Sequence, residues 1–235
     1  MDFTRRHFVF GAAAVGVLAA AGIGYFAWNR PGGSIILPPS ADVPPLQNAS
    51  IPPAPQTSDL MQAGPLGEMV LGNENAPVTI IEYASMTCSH CAHFHETTYP
   101  ELKKRYIDTG KVRFIFREFP LDPLAAAGFM VARCAGKDKY FDVVEMLFQQ
   151  QETWAVRNPI PPLLALAKQA GFTEKSFEEC LANQPMLDGI EQVRSRASEK
   201  LGVNSTPTFF INGKVQRGAM SMAELEKLLE PYLKG

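Results

Sequence analysis

Two cysteines, Cys88 and Cys91, are the residues of this chain whose types and spacing most clearly allow chemistry. Two cysteines three positions apart close and open a disulfide without movement of the backbone, and such a pair is typical of a redox site. In thiol–disulfide exchange, one sulfur forms a mixed disulfide with a second molecule and the other resolves it. The spacing therefore predicts a redox-active dithiol.

The segments around the pair predict where each sulfur lies. Residues 78–84 have the composition of a buried strand, and residues 92–106 favour a helix. At the first turn of that helix, Cys88 lies near unsatisfied backbone N–H groups and the positive end of the helix dipole, which favour its thiolate. His90, as an imidazolium or an N–H donor, is expected to stabilise this thiolate further. Cys91, one turn on, is expected to point inwards and to resolve mixed disulfides.

The remaining patterns predict an α/β fold. A strand, a loop with C-x-x-C and then a helix is the order of a thioredoxin-type redox site. Strands are expected at residues 69–71 and 111–117, and a hairpin with an Asn-Gly turn at residues 208–217. Between them, apolar residues recur every three or four positions. Helices are predicted there at 125–135, 139–150, 162–170 and 173–182, and in a longer segment between Pro185 and Gly202. The order predicts a thioredoxin fold with an inserted α-helical domain at about residues 122–202.

Residues 1–30 have the features of an export signal or a membrane anchor. Arg5-Arg6 precedes an uncharged run at residues 8–28, and the surrounding string resembles a twin-arginine signal. The small residues 19–21 offer a cleavage site. Alternatively, residues 8–28 remain as an anchor, since roughly 20 apolar residues span a bilayer. Either outcome places the rest outside the cytoplasmic membrane, where cysteine pairs become oxidised.

Residues 31–66 are expected to form a disordered tether, because they contain nine prolines among small and polar residues. The folded part is expected at residues 67–235. With 235 residues and 46% hydrophobic residues, the chain can build one sizeable domain or one domain with an insertion. The net charge of −2 gives no indication of nucleic acid as a partner.

Three segments together resemble the DsbA family of exported thiol:disulfide oxidoreductases. They are Glu82 to Cys91, the helical insertion, and residues 202–213 with Thr206-Pro207. The resemblance covers about residues 67–235. It implies that the Thr206-Pro207 bond is cis, faces the cysteines and presents backbone to an unfolded substrate strand. It also implies that Glu82 is a buried acid beneath the site, which accepts a proton from Cys91. Without the resemblance, Glu82 is expected to end a strand and pair with a lysine.

The resemblance also implies a reaction and its partners. The expected protein is a monomer in the periplasm of a Gram-negative bacterium, without a cofactor other than the Cys88–Cys91 disulfide. It introduces disulfides into unfolded exported polypeptides that carry cysteines, and a quinone-linked membrane protein reoxidises it. Two positions depart from the best-known member, Ser89 in place of Pro and Thr206 in place of Val. These departures leave the oxidising strength open, so a disulfide reductase or isomerase is the alternative activity.

Two further readings concern the other cysteines and the histidines. Cys134 and Cys180 fall on apolar helix faces, and they are either two buried thiols or a structural disulfide, which an oxidising compartment favours. Some DsbA-like proteins carry such a second bridge. Zn²⁺ binding by the redox cysteines with His93 and His95 is a weaker alternative, because the two histidines are expected on the helix surface. No metal site is predicted, and a metal- or substrate-binding module without turnover remains the rival from another class.

Overall fold

A computed structural model describes residues 57–234. The predicted export signal or anchor at residues 1–30 and most of the predicted tether lie outside the described residues. Among residues 57–234, no helix has both the length and the apolar character needed to cross a membrane.

The end of the predicted tether is ordered, so that part of the prediction is wrong. Residues 57–61 form a short helix, α1, and its Leu60 is 2% exposed. The Arg196 guanidinium donates a hydrogen bond to the Gln62 carbonyl, and Leu66 packs against Gly189. The sequence did not predict this helix, because the segment is rich in proline and its single buried leucine gives no periodic pattern.

A mixed five-stranded sheet forms the centre of the described part, with the strand order β1-β3-β2-β4-β5. The strands are β1 (Met69–Leu71), β2 (Val78–Ala84), β3 (Val112–Glu118), β4 (Thr208–Ile211) and β5 (Lys214–Arg217). β2 and β3 are parallel, and the other neighbouring pairs are antiparallel. This mixed arrangement matches the predicted α/β thioredoxin core.

The β4–β5 hairpin turns at Asn212-Gly213 as predicted. Both residues have positive φ, 45° and 83°, which the favoured two-residue hairpin turn requires. The Asn212 side chain also accepts a hydrogen bond from the Thr79 N–H and donates one to the Pro77 carbonyl. The turn therefore ties the hairpin to the start of β2.

Nine further helical segments surround the sheet in the described chain. They are α2 (Ser89–Thr97), α3 (Tyr99–Leu102), α4 (Pro123–Cys134), α5 (Tyr140–Gln149), α6 (Gln151–Trp154), α7 (Ile160–Gln169), α8 (Glu174–Leu181), α9 (Gln184–Leu201) and α10 (Met222–Leu233). A π-helical turn at Lys103–Ile107 follows α3. Helices α4 to α9 form the predicted insertion.

The helix that follows the cysteines is shorter than predicted. Helix was expected over residues 92–106, but α2 ends at Thr97 and α3 begins at Tyr99. Pro100 lies in the first turn of α3, and proline has no N–H to continue the hydrogen-bond ladder of α2.

The two faces of the sheet bury different helices. Because side chains alternate along a strand, Ile80 and Phe116 face the larger core with α2, α4 and α5, whereas Ile81 and Ile115 face α1 and part of α9. Glu82 lies two residues after Ile80, so it points to the same side as α2. The strand period thus determines which helix meets this carboxylate.

A disulfide joins Cys134, the last residue of α4, to Cys180 in α8, and the two Cα atoms are 6.1 Å apart. The Met186 sulfur of α9 lies 3.8 Å from the Cys134 sulfur. The bridge therefore holds together three helices of the insertion.

Candidate active site

Cys88 occupies the N-cap position of α2, directly after strand β2 and its loop, and it carries a free thiol. The pKa of this thiol is lowered to about 5. The largest cause is a hydrogen bond from the Cys91 side chain, and partial burial opposes it. The Thr206 side chain and the backbone N–H groups of Cys91 and His90 lower the pKa further. At neutral pH, Cys88 is therefore almost entirely a thiolate, which is the nucleophilic form.

Cys91 has the opposite character. Its side chain is fully buried, and its thiol is free. Burial raises its pKa well above the usual value, and the Cys88 sulfur and the negative charge of Glu82 raise it further. Cys91 therefore stays a thiol at neutral pH and must release a proton before it can attack.

His90 acts on Cys88 through its backbone. Its side chain is exposed at the surface, as is that of Ser89. The N–H of His90 points into the first turn of α2 and contributes to the lowered pKa of Cys88. The predicted influence of the imidazole itself stays a prediction.

The Thr206-Pro207 peptide bond is cis and lies beside Cys88. The Cys88 sulfur lies 3.4 Å from the Thr206 carbonyl oxygen, to which it donates a hydrogen bond when it is protonated. The Thr206 hydroxyl is buried. Chain positions 118 residues apart therefore meet at the nucleophilic sulfur.

Glu82 is fully buried in the middle of β2, paired across the sheet with Phe116 and Phe209. Its Oε2 lies 3.0 Å from Nε2 of His95, which is also buried. The expectation of a lysine partner for Glu82 is wrong, and so is the expected surface position of His95. His93 is exposed as expected. His95 is buried because it belongs to the inward face of α2 with Cys91 and Phe94.

Two residues that the sequence did not single out hold the loop before Cys88. The Gln151 amide of α6 donates hydrogen bonds to the carbonyls of Met86 (2.8 Å) and Cys88 (3.1 Å). The Asp122 carboxylate accepts one hydrogen bond from the Thr87 hydroxyl and one from the Ala125 N–H at the start of α4. Asp122-Pro123 is an N-cap followed by proline at the first helical position, so its capping role was readable from the sequence.

The geometry does not favour a zinc site around the cysteine pair. Within residues 57–234, no three side chains of His, Cys, Asp or Glu are arranged to hold a metal ion. His93 and His95 point to different sides of α2, one exposed and one paired with Glu82. The arrangement is instead that of a reactive thiolate, a buried thiol and an adjacent backbone edge.

Comparisons with known proteins agree with this geometry. A family model described as thioredoxin matches residues 66–231. A Rickettsia felis protein named "Putative protein-disulfide oxidoreductase" is 33% identical over 168 residues, which are 71% of this chain and 60% of the relative. This chain thus spans about three fifths of that relative's length. The "Disulfide bond formation protein D" of Bacillus subtilis is 29% identical over 72% of this chain and 78% of the relative.

Among solved structures, Wolbachia pipientis alpha-DsbA1 superposes with a TM-score of 0.69 and 29% identity, covering 75% of this chain and 96% of that one. The chain therefore belongs to the thioredoxin family and has the fold of its DsbA-like members with a helical insertion.

Proposed function

We propose that this chain is an extracytoplasmic thiol:disulfide oxidoreductase that introduces disulfide bonds into exported proteins through Cys88 and Cys91. The observation that carries the proposal is the contrast between the two sulfurs. Cys88 is partly exposed with a pKa lowered to about 5, whereas Cys91 is buried with a raised pKa. The names of the similar rickettsial and Bacillus proteins support the same activity.

The reaction begins with the Cys88–Cys91 disulfide. A substrate thiolate attacks the Cys88 sulfur, which forms the substrate–Cys88 disulfide and releases Cys91 with the electron pair of the broken bond. Cys91 then takes up one proton. The second substrate thiolate attacks the substrate sulfur of the mixed disulfide, and Cys88 leaves as a thiolate. The substrate has lost two electrons, and the cysteine pair has gained them.

The acidity of Cys88 gives this reaction its direction. A thiol of low pKa is a good leaving group, so it departs readily from the mixed disulfide. Stabilisation of the thiolate also stabilises the reduced pair, which makes the disulfide a stronger oxidant. A disulfide reductase would use the same residues in reverse. The measured reduction potential against glutathione decides between them, since an oxidase requires the more oxidising value.

The loop at Thr206-Pro207 is the proposed substrate platform. Its backbone lies beside Cys88, so an extended polypeptide placed against it would bring a cysteine to the sulfur. Backbone pairing of this kind accepts many sequences, because main-chain groups provide the hydrogen bonds. Such tolerance suits an enzyme whose substrates are unfolded proteins.

The cellular setting is part of the proposal. The segment at residues 8–28 exports the chain or anchors it, and the catalytic part then acts in the periplasm. A quinone-linked membrane protein reoxidises Cys88–Cys91 after each turnover. The Cys134–Cys180 bridge of the insertion is consistent with an oxidising compartment.

Cysteine substitutions in the full-length chain test the activity. Cys88→Ala is expected to abolish oxidation of a reduced, unfolded substrate protein, because it removes the sulfur that the substrate thiolate attacks. Cys91→Ala, incubated with a substrate that carries a disulfide, is expected to accumulate substrate–Cys88 mixed disulfides, because it has no second thiol to resolve them. Non-reducing electrophoresis detects these species. Ser89→Ala, exposed between the two cysteines, is the matched control and should retain activity. Full activity of Cys88→Ala would refute the proposal.

A further inference from the structure

Glu82 and His95 form a buried pair, and the disulfide exchange described above gives His95 no role. The two side chains are 0% and 1% exposed, and their hydrogen bond is 3.0 Å long. A carboxylate buried alone would be strongly unfavourable, so a partner that shares a proton with it is required. His95 can supply that proton and take it back, which a lysine or an apolar residue at this position would not do near neutral pH.

Aromatic rings enclose the His95 imidazole. The Phe148 ring of α5 stacks on it with a centroid distance of 4.4 Å, and the Tyr99 ring lies 4.7 Å away on another side. Phe94 and Phe116 meet it edge-on. This enclosure fixes the direction of both ring nitrogens and keeps bulk water from Glu82.

Unpartnered polar atoms are concentrated around the same imidazole. Six buried side-chain polar atoms lack a hydrogen-bond partner in the described part of the chain. Three of them belong to this cluster, namely Glu82 Oε1, His95 Nδ1 and the Tyr99 hydroxyl. Buried polar atoms are nearly always satisfied in folded proteins, so their concentration at one place requires an explanation.

The proposed disulfide exchange creates a proton problem at this position. Cys91 leaves the broken disulfide as a thiolate in a fully buried site, and its raised pKa means that it ends as a thiol. Reoxidation requires the reverse, because the Cys91 thiol must lose its proton before it attacks. Glu82 is a buried acid whose charge acts on Cys91.

We propose that His95 is a positioning residue that relays a proton through Glu82, beneath the cysteine pair, to and from the Cys91 sulfur. The inference rests on the proposed redox function and adds a role for a residue outside the C-x-x-C motif. When the disulfide opens, the His95 imidazolium gives one proton to the Glu82 carboxylate, which passes it to the Cys91 thiolate, so that a neutral imidazole, a carboxylate and a thiol remain. When the disulfide closes, the proton returns along the same path.

Two further groups lie near the imidazole. Glu145 of α5 is half-buried; burial raises the pKa of its carboxyl, and the charges of His95 and Lys103 lower it. The Tyr99 ring, 4.7 Å from the imidazole, carries a hydroxyl whose pKa is raised by burial and by the charges of Glu145 and Glu82. Asp108 and Asp142 also act on these two groups.

The full-length chain with oxidised glutathione as the probe separates the two sulfurs. In the first step, the Cys88 thiolate attacks glutathione disulfide, forms a Cys88–glutathione disulfide and releases one glutathione thiolate. In the second step, Cys91 loses its proton and attacks the Cys88 sulfur, which releases the second glutathione thiolate. Acid quenching followed by mass analysis gives the rate of each step.

His95→Gln tests the relay because glutamine can still donate a hydrogen bond to Glu82 but cannot hold or release a proton near neutral pH. We expect the second step to slow roughly tenfold at pH 7, less than the ~10²–10⁴-fold of a direct general acid or base. The deficit should shrink as pH rises, because hydroxide then removes the Cys91 proton. The first step should be unchanged. His93→Gln, two residues earlier and exposed, is the matched control and should leave both steps unchanged.

The outcomes separate this inference from the proposed function. If the unsubstituted chain does not exchange with glutathione disulfide, the redox function fails. If it does and His95→Gln resolves the mixed disulfide at the same rate and with the same pH profile, the relay is refuted. Equal slowing of both steps would also refute it, since this indicates a structural role. Should His95→Gln fail to fold, His95→Asn replaces it, and an unchanged second step there would refute the relay.

Discussion

At the scale of single residues, the notable property is that two cysteines of one motif have opposite acidities. Cys88 sits at the end of α2, where backbone N–H groups and the Cys91 thiol stabilise its charge. Cys91 is three positions on, where burial and Glu82 oppose a charge. The helix thus provides both environments, and a displacement of one turn decides which sulfur is the nucleophile.

The acidity of Cys88 should depend on its neighbour. Because the hydrogen bond from Cys91 is the largest cause of the lowered pKa, Cys91→Ala should raise the Cys88 pKa above about 5. Cys91→Ser keeps a donor at that position and should raise it less. Ultraviolet absorbance of the thiolate against pH, in reduced protein, measures both. Identical midpoints for Cys91→Ala and unsubstituted protein would show that the helix terminus and Thr206 set the pKa without Cys91.

At this scale, the positions of side chains were predictable where a motif fixes the geometry. The spacing of Cys88 and Cys91 predicted one sulfur at a helix start and one buried, since a helical turn has 3.6 residues. His95 was misplaced although the inward positions Cys91, Phe94 and His95 follow the spacing of a buried helix face. Its polarity suggested the surface, and only the fold brings Glu82 to face it.

At the scale of elements, Asp122 connects the insertion with the redox loop. It caps α4 through the Ala125 N–H and also accepts a hydrogen bond from Thr87, which precedes Cys88. Gln151 makes the corresponding link from α6. The insertion therefore supports the backbone of the loop that carries the nucleophile.

Two substitutions of Asp122 should separate its capping of α4 from its hydrogen bond with Thr87. Asp122→Ala loses both contacts and should destabilise the fold by about 1 kcal/mol, the usual effect of losing an N-cap. Asp122→Asn keeps the capping oxygen but places an amide donor against the Thr87 hydroxyl, so it should change the reaction rate of Cys88 with little loss of stability. Denaturant unfolding and alkylation kinetics measure the two effects. Equal destabilisation by Asp122→Ala and Asp122→Asn would show that the two contacts do not act separately. Asp138→Ala is the control, because Asp138 is an exposed residue just before α5.

The elements themselves were largely predictable, because most have a clear apolar period. The strands and the five longer helices of the insertion follow the spacing expected from sequence; these helices are α4, α5, α7, α8 and α9. Short helices were not predictable, since α1 and α6 have too few residues to show a period. The contact of Gln151 with the Cys88 loop had no sequence signal either, because it depends on how α6 packs over the sheet.

At the scale of the whole molecule, the sheet joins segments that are distant in sequence. Strand β2 leads to Cys88, β4 follows Thr206-Pro207, and the insertion between β3 and β4 supplies Gln151. The Cys134–Cys180 bridge ties α4 to α8 within this insertion. The redox pair is therefore surrounded by groups from every part of the described fold, so its oxidation state is linked to folding stability.

That linkage has a definite sign. Cys88 has a pKa of about 5 in the folded protein and an ordinary value of roughly 8.5 when unfolded. A group whose folded pKa is depressed contributes stability above its unfolded pKa, and this contribution is lost as pH falls through the folded pKa. Cys91 is a thiol in both states near neutral pH, and its raised folded pKa opposes folding only when the pH exceeds its unfolded value. The cysteine pair therefore stabilises the reduced protein most near about pH 8.5, and that stabilisation is lost as the pH falls towards about 5.

We expect reduced protein to be more stable than oxidised protein at pH 7, the reverse of an ordinary structural disulfide. Denaturant unfolding of both forms at several pH values measures the difference, with a mild reductant that opens Cys88–Cys91 and leaves Cys134–Cys180 closed. The difference should fall steadily between pH 8 and pH 5, because the oxidised form has no Cys88 thiol to titrate. Cys88→Ser forms neither the thiolate nor the disulfide, so its free energy of unfolding should change with pH as that of the oxidised form does. A difference independent of pH, or greater stability of the oxidised form at pH 7, would mean that the folded protein does not stabilise the Cys88 thiolate.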